Sequence, residues 1–482
     1  MSSFLKVNRQ NLPDVVIVVV LFATAFIWKF LFIGVRDVCI DEPFTIFNAQ
    51  KGLKEILLLP TQNEPNPPLF MFILHFWVKW FGISAATVRI VPLFFNALTP
   101  VFLYLTGKKL SNHLGGMVAA GLFILSSYQF YFGMETRTYS LLLCATAATL
   151  YYLFSLLKNP SGKGYLAGLI LTNIILVYSH YFGWFVVFME FVTGLLYLKN
   201  REAFKKIFLA VVVAGIAFIP MAVTFVRQFF ISKEQTWVKP PERSAYWREL
   251  ILFLNNPLVI KVVVVVLLVG LVVFLTGKNK KLVPLDLAAI FLFWLLPYTL
   301  MFFVSSKVPM FENRYVMYNS IGLYLNIGFL TGLFYSRWKF LLPVASAVIL
   351  LTMGLKMQTN LQFIAYRETQ KAVHFVKERH DASMLTLVYP HWNDYEFAYY
   401  FNQEIFKDVT NFEPRLRDSM VYQVWGLDDA KNYIEKFRDK NILFFRGGNG
   451  YKEINNYLDS LYLRTDSVYF PDCYYIYSYR IK

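Results

Sequence analysis

Long apolar runs alternate with short polar loops along most of the chain. A run of roughly 20 apolar residues is what a helix needs to cross about 30 Å of hydrocarbon. The pattern predicts about 11 spans, over 15–35, 88–107, 114–132, 137–157, 164–179, 182–198, 206–229, 258–276, 284–304, 315–335 and 339–356. The first is too long for a signal-peptide core and lacks a small-residue cleavage site. The run Leu69–Phe81 is shorter and carries His75 and Lys79, so it reads as an interfacial helix lying flat. From Arg367 onward the long apolar runs stop. Glu368–Glu378 has helical spacing, with Val373 and Val376 on one face, and 385–389, 442–445 and 474–479 read as strands.

Charge gives these spans a direction. With the amino terminus inside, the inner loops hold Lys6/Arg9, Lys108/Lys109, Lys158/Lys163, Lys199/Arg201/Lys205/Lys206, Lys278/Lys280/Lys281 and Arg337/Lys339. All are basic, as the positive-inside rule requires. Counting 69–82 as a span would push most of these clusters outside. The outer loops are then 36–87, 133–136, 180–181, 230–257 and 305–314, and the carboxy-terminal segment is also outside. The expected fold is a polytopic α-helical membrane domain, 1–355, with interfacial helices in the first outer loop, followed by a small soluble α/β domain, 356–482.

Composition fits this picture. The 482 residues are 57% hydrophobic, with mean hydropathy +0.45, more apolar than a soluble chain of this length. The net charge of +16 sits in short loops between apolar runs, which argues against a nucleic-acid partner. Cys39, Cys144 and Cys473 form no ligand-spaced set. The six histidines form no HExxH-type set. No internal repeat is visible, which disfavours transporter folds built from duplicated halves.

The chemistry-bearing residues fall in the outer loops. Asp41-Glu42 follow the first span, where carboxylates are costly to keep dry. Acids also favour a helix start, and 44–58 has helical spacing, so capping stands beside catalysis. Asn66-Pro67-Pro68-Leu69 and Arg89 follow in the same region. Glu135-Thr136-Arg137-Thr138-Tyr139-Ser140 and Ser179-His180-Tyr181 mark two further loops, where an interfacial ion pair and a structural turn histidine are the plainer readings. Ser305 through Arg314-Tyr315 puts Lys307 and Arg314 on the face that positive-inside statistics avoid. Basic residues there suit a bound anion, and the arginine fork suits phosphate.

In order and spacing these motifs resemble the polyprenyl-phosphate-sugar-dependent membrane glycosyltransferases of the GT-C fold. That superfamily includes the protein mannosyltransferases and the aminoarabinose transferases. The resemblance runs over roughly residues 13–335 and includes Gly107-Lys108-Lys109-Leu110. It implies Asp41 as catalytic base with Glu42 as its companion, and Glu135 as a second acid near the acceptor. Donor-phosphate or substrate contacts are implied for Asn66, Arg89, Arg137, Tyr139, His180, Lys307 and Arg314. Many relatives carry His or Lys where this chain has Asn66, so a basic phosphate contact is absent there. The implied reaction is a single displacement with inversion at the anomeric carbon. No cofactor is implied, and metal is not generally required.

The implied partners are a polyprenyl-phosphate sugar, membrane lipids, and a glycan, lipid or protein acceptor at the outer face of the inner membrane. No glycine-rich nucleotide fingerprint follows a predicted strand. A phosphate leaving group departs without protonation, so one carboxylate base suffices, whereas glycoside hydrolysis needs a paired acid and base. The alternative function is a transporter or flippase of a lipid-linked glycan, without bond chemistry. Its acids would lie mid-helix. Glu190 is the one such acid, and it is expected to hydrogen-bond a neighbouring helix. A non-catalytic scaffold recruiting partners is a third reading, against which Asp41, Glu135 and Arg314 stand.

Overall fold

The computed structural model describes residues 12–62, 64–236, 238–265, 285–335, 341–364, 367–381, 383–448, 452–471 and 474–482. Two compact units emerge, and they do not follow chain order. One comprises Met1–Leu31, Leu57–Ile73 and Arg89–Leu361; the other comprises Phe32–Ile56, Leu74–Val88 and Gln362–Lys482. Asp41 and Glu42 therefore fold with the carboxy-terminal residues.

The first unit is helical. Among the described residues, five helices are long and apolar enough to cross a membrane: Leu12–Phe30, Ala85–Leu110, Tyr139–Lys158, Arg201–Ile231 and Leu285–Val304. The run expected as a span at 114–132 is instead a helix pair, His113–Ile124 and Ser127–Gly133, bent by 64°. Ser126 starts the second helix by accepting from the Gln129 N–H, an N-cap that gives a natural break. The runs at 164–179 and 182–198 form shorter apolar helices, Tyr165–Ser179 and Gly183–Leu196. The run at 315–335 begins with a single turn, Asn313–Val316, before the helix Asn319–Phe334. Much of the expected span 258–276 lies outside the described residues, as do the basic clusters at Lys6/Arg9, 278–281 and Arg337/Lys339.

Burial separates two kinds of apolar helix. Tyr139–Lys158 is 89% buried, whereas Leu12–Phe30 is 17% buried. A helix apolar all round is either enclosed by protein or faces lipid, and these two show both outcomes. Glycines allow the closest helix contact. A Cβ on Gly328 would lie 2.3 Å from the Gly115 carbonyl oxygen, and one on Gly115 would lie 2.6 Å from that of Gly328. Small residues let membrane helices approach in this way. The basic loops also gather. The Lys158 ammonium donates to the Lys109 carbonyl at 2.6 Å and Lys206 to that of Pro160 at 2.6 Å, while Lys108 pairs with Asp14.

The second unit carries a five-stranded sheet in the order β2-β1-β3-β5-β4. The strands are β1 (Met384–Tyr389), β2 (Val421–Gln423), β3 (Asn441–Gly447), β4 (Tyr462–Phe470) and β5 (Tyr474–Ile481). β1 lies parallel to β2 and β3, and β5 runs antiparallel to β3 and β4. The helix expected at 368–378 is Thr369–Arg379, with Val373 and Val376 buried. The helical stretch expected at 44–58 is two helices, Asp41–Ala49 and Leu53–Leu58. The expected interfacial segment is the 13-residue helix Leu69–Phe81.

Candidate functional site

In the first unit, an apolar cavity of about 390 Å³ lies between four stretches of chain. Phe182, Phe185, Phe225, Phe229 and Tyr315 supply most of its aromatic wall, and Asn66, His180 and Tyr181 bring polar atoms to it. His180 ends the helix Tyr165–Ser179 and begins a tight turn, in which the Gly183 N–H returns to the His180 carbonyl at 2.8 Å. Gly183 is required there, because a Cβ would meet the Leu176 carbonyl oxygen at 2.5 Å.

The His180 Nδ1 accepts the Phe182 N–H at 3.2 Å, which puts the ring proton on Nε2. Among the described residues, that Nε2–H is buried without a partner, as is the Tyr181 hydroxyl. Burial, then the positive charges of Arg137 and Arg314, hold the imidazole well below its usual range, at about 3. It is therefore a neutral donor at physiological pH. Tyr315 packs within 6.0 Å of the His180 ring and 5.3 Å of Phe182, and the Arg314 guanidinium lies 5.7 Å over Tyr315.

The Glu135–Ser140 segment joins this region through Thr138, whose hydroxyl donates to the Ser179 carbonyl at 2.8 Å. Tyr139 is buried 6.3 Å from His180, ring to ring. Arg137 makes a two-pronged contact with Glu64, at 2.9 and 3.3 Å. Asn66 donates to the same carboxylate from its side chain at 2.6 Å and from its backbone at 3.1 Å. Arg137 thus pairs with Glu64 from another stretch of the chain. Sequence reasoning passed Glu64 over because it lies 73 positions away. Glu135 is itself buried.

Lys307 is exposed and does not line the cavity, although Val308, Pro309 and Met310 do. Arg89 is buried in the first turns of Ala85–Leu110. Glu190 is fully buried, but the expected hydrogen bond is not made. Asn173 on the helix Tyr165–Ser179 is its polar neighbour, and no bond of ordinary length joins them. Glu190 does not line the cavity either.

Asp41 and Glu42 open the helix Asp41–Ala49 of the second unit. Glu42 is buried and pairs with Arg36 at 3.2 Å, which makes it part of the local framework. Asp41 is half-buried. The residue before it, Ile40, has φ 58° and ψ −115° and makes no side-chain cap. A β-branched residue at positive φ is a genuine outlier, and such conformations cost of order 1–3 kcal/mol. The acids therefore sit in the first turn rather than at the cap position. Among the described residues, no group of three or more His, Cys, Asp or Glu side chains converges as a metal cradle.

Residues 65–226, a third of the chain, match the dolichyl-phosphate-mannose-protein mannosyltransferase family. The chain also superposes on ArnT from Cupriavidus metallidurans bound to undecaprenyl phosphate. The TM-score is 0.59 at 11% identity, covering 96% of this chain and 97% of that one. The chain has the GT-C fold of that enzyme. The family match covers part of the membrane unit, and the structural likeness shows the fold. The apo oligosaccharyltransferase of Archaeoglobus fulgidus shares that fold. Its TM-score is 0.53 at 9% identity, covering 92% of this chain and 70% of that one. The same enzyme tethered to an acceptor peptide matches with TM-score 0.50 at 9% identity, covering 89% and 68%. No curated protein matches the sequence.

Proposed function

We propose that this protein is a glycosyltransferase that moves a sugar, with inversion, from a polyprenyl-phosphate donor to an acceptor hydroxyl at the outer face of the membrane. The observation that carries this reading is the aromatic cavity whose polar members, His180 Nε2–H and the Tyr181 hydroxyl, are buried without partners. A prenyl chain suits the apolar wall. A phosphate suits unpartnered donors near Arg137 and Arg314, since charge-assisted hydrogen bonds are the strong ones. The ArnT structure that shares the fold holds undecaprenyl phosphate, which supports the same donor class here. The acceptor is a glycan, lipid or protein hydroxyl.

In this mechanism Asp41 takes the acceptor proton as the hydroxyl oxygen attacks the anomeric carbon. The bond from that carbon to the phosphate oxygen breaks on the opposite face, and the lipid phosphate leaves as an anion. Arg314 and His180 stabilise charge growing on it. Arg137, tied to Glu64, fixes the wall beside them. Glu135 lines the acceptor side, and Arg89, Tyr139 and Asn66 support the donor. Lys307, being exposed, attracts the anionic headgroup from outside. The amino terminus is cytoplasmic, the membrane domain covers 1–355, and residues 356–482 are extracytoplasmic.

The test is to incubate purified protein with a panel of polyprenyl-phosphate sugars and acceptors, following lipid consumption and product anomeric configuration. Release of lipid phosphate with an inverted product is expected. Movement of the lipid-linked sugar across vesicles without bond cleavage would establish the transporter reading instead.

A further inference from the structure

The segment leading into Asp41 is held by groups more than 320 positions away. The Asp37 carboxylate accepts the Gln370 N–H at 2.8 Å. The Val38 N–H donates to the Tyr400 hydroxyl at 2.6 Å. The Ile40 N–H donates to Glu396 Oε1 at 3.3 Å. That oxygen also receives the Tyr474 hydroxyl at 2.5 Å and the Thr369 hydroxyl at 3.1 Å. Glu396 is 4% exposed, Tyr474 2% and Thr369 0%, so the acceptor is fixed by three donors in a dry setting. The peptide it holds belongs to Ile40, the one residue of this segment with positive φ.

A strained backbone conformation persists only where its surroundings over-determine it. Here the surroundings are a buried carboxylate whose geometry is set by Tyr474 and Thr369. Turning Ile40 back to an ordinary conformation would swing the first turn of Asp41–Ala49, and Asp41 with it. A buried carboxylate is expensive unless it is hydrogen-bonded, and this one accepts from Ile40, Tyr474 and Thr369.

We propose that Glu396 is the positioning residue for Asp41, holding the Ile40 peptide so that the base is presented in one orientation. This rests on Asp41 being the base, as proposed above. The carboxy-terminal residues then act on catalysis through the backbone, without touching the substrate. Glu396 donates and removes no proton in the reaction.

The experiment is a double-mutant cycle with hydrogen exchange, on the full-length protein in detergent or nanodiscs. Glu396→Ala is expected to lower kcat about 10–100-fold, the scale of a misplaced group, with donor KM nearly unchanged. Glu396→Gln keeps an oxygen in place and should restore most of the rate. In an Asp41→Asn background, Glu396→Ala should cost nothing further, because residues acting as one unit are non-additive. Amide exchange at Ile40 should rise in Glu396→Ala and stay low in Glu396→Gln. Should Glu396→Ala fail to fold, Tyr474→Phe removes one of the donors that fix the carboxylate and should give a smaller loss of kcat of the same kind. A well-folded Glu396→Ala protein with normal kcat, or one whose loss is fully additive with Asp41→Asn, overturns the proposal. Full activity of Asp41→Asn alone defeats the base assignment instead, and the exchange measurement then still decides whether Glu396 holds the turn.

Discussion

Two regions handle polar groups in opposite ways. Around the cavity of the first unit, the His180 Nε2–H and the Tyr181 hydroxyl are buried with their hydrogen-bonding capacity open. Around the turn into Asp41, the backbone donors of Val38 and Ile40 are each taken by a side chain from far along the chain. Leaving a buried donor unmet costs about 1–3 kcal/mol, a cost recovered when a ligand arrives. Closing every donor fixes geometry, which suits a group that must be oriented before the ligand comes. On the proposed function, open valence marks the donor site and closed valence the aimed base.

The sharpest way to break this contrast is Asp41→Asn. General-base catalysis contributes about 10²–10⁴-fold, so turnover should fall by that factor in a transfer assay while titration shows donor binding retained. Asn would lose a first-turn charge worth about 0.3–1 kcal/mol, so the fold should survive. A variant with near-normal transfer would return the acid to a helix-start role.

Next in size is Arg314→Ala. Loss of a charge-assisted bond costs about 1.5–3 kcal/mol, or roughly 10–150-fold in donor affinity, read as weaker binding of the lipid phosphate at unchanged melting temperature. Arg137→Ala also weakens the donor but is a poorer probe, because it strands Glu64. Breaking a buried pair on one side costs about 3–5 kcal/mol of stability. Unchanged donor dependence in both variants would reject the phosphate assignment.

Tyr181→Phe tests the open valence directly. A neutral hydrogen bond is worth about 0.5–1.5 kcal/mol, so donor affinity should drop by a factor of a few while the ligand-free protein becomes no less stable. Equal donor affinity in variant and parent would show that the hydroxyl never meets the ligand.

The smallest effect concerns the closed region. Asp394 is buried, and burial lifts its carboxyl to about 8, against the Tyr395 N–H that favours the anion at 2.6 Å. A carboxyl raised on folding binds its proton more tightly in the native state. Its unfavourable contribution is absent below the unfolded value near 3.8 and grows as pH rises toward about 8. Asp394→Asn should raise the melting temperature by a few degrees at pH 8, with the gain vanishing near pH 4. A gain of equal size at both pH values would point to a cause other than titration.

Several elements were legible in the sequence because their signals are local. Val373 and Val376 at helical spacing marked Thr369–Arg379, and the apolar runs of β1, β3 and β5 marked the middle of the sheet. β2 is three residues long, too short to show a period, and β4 is an edge strand that leaves most of its residues exposed. The bend between His113–Ile124 and Ser127–Gly133 was missed because the apolar run continues across the cap at Ser126.

Sequence by itself determined the membrane-spanning character, the basic side of the loops and the identity of the outer-loop residues, since hydropathy and charge are summed along the chain. It also singled out Asp41, His180 and Arg314 as candidates, because few polar residues stand where they do. Tertiary structure alone decided the pairings. Glu64 meets Arg137 across 73 positions, and Glu396 meets Ile40 across 356. A hydrogen bond depends on distance and angle within a few tenths of an ångström, and neither is encoded by spacing once the chain has turned back on itself.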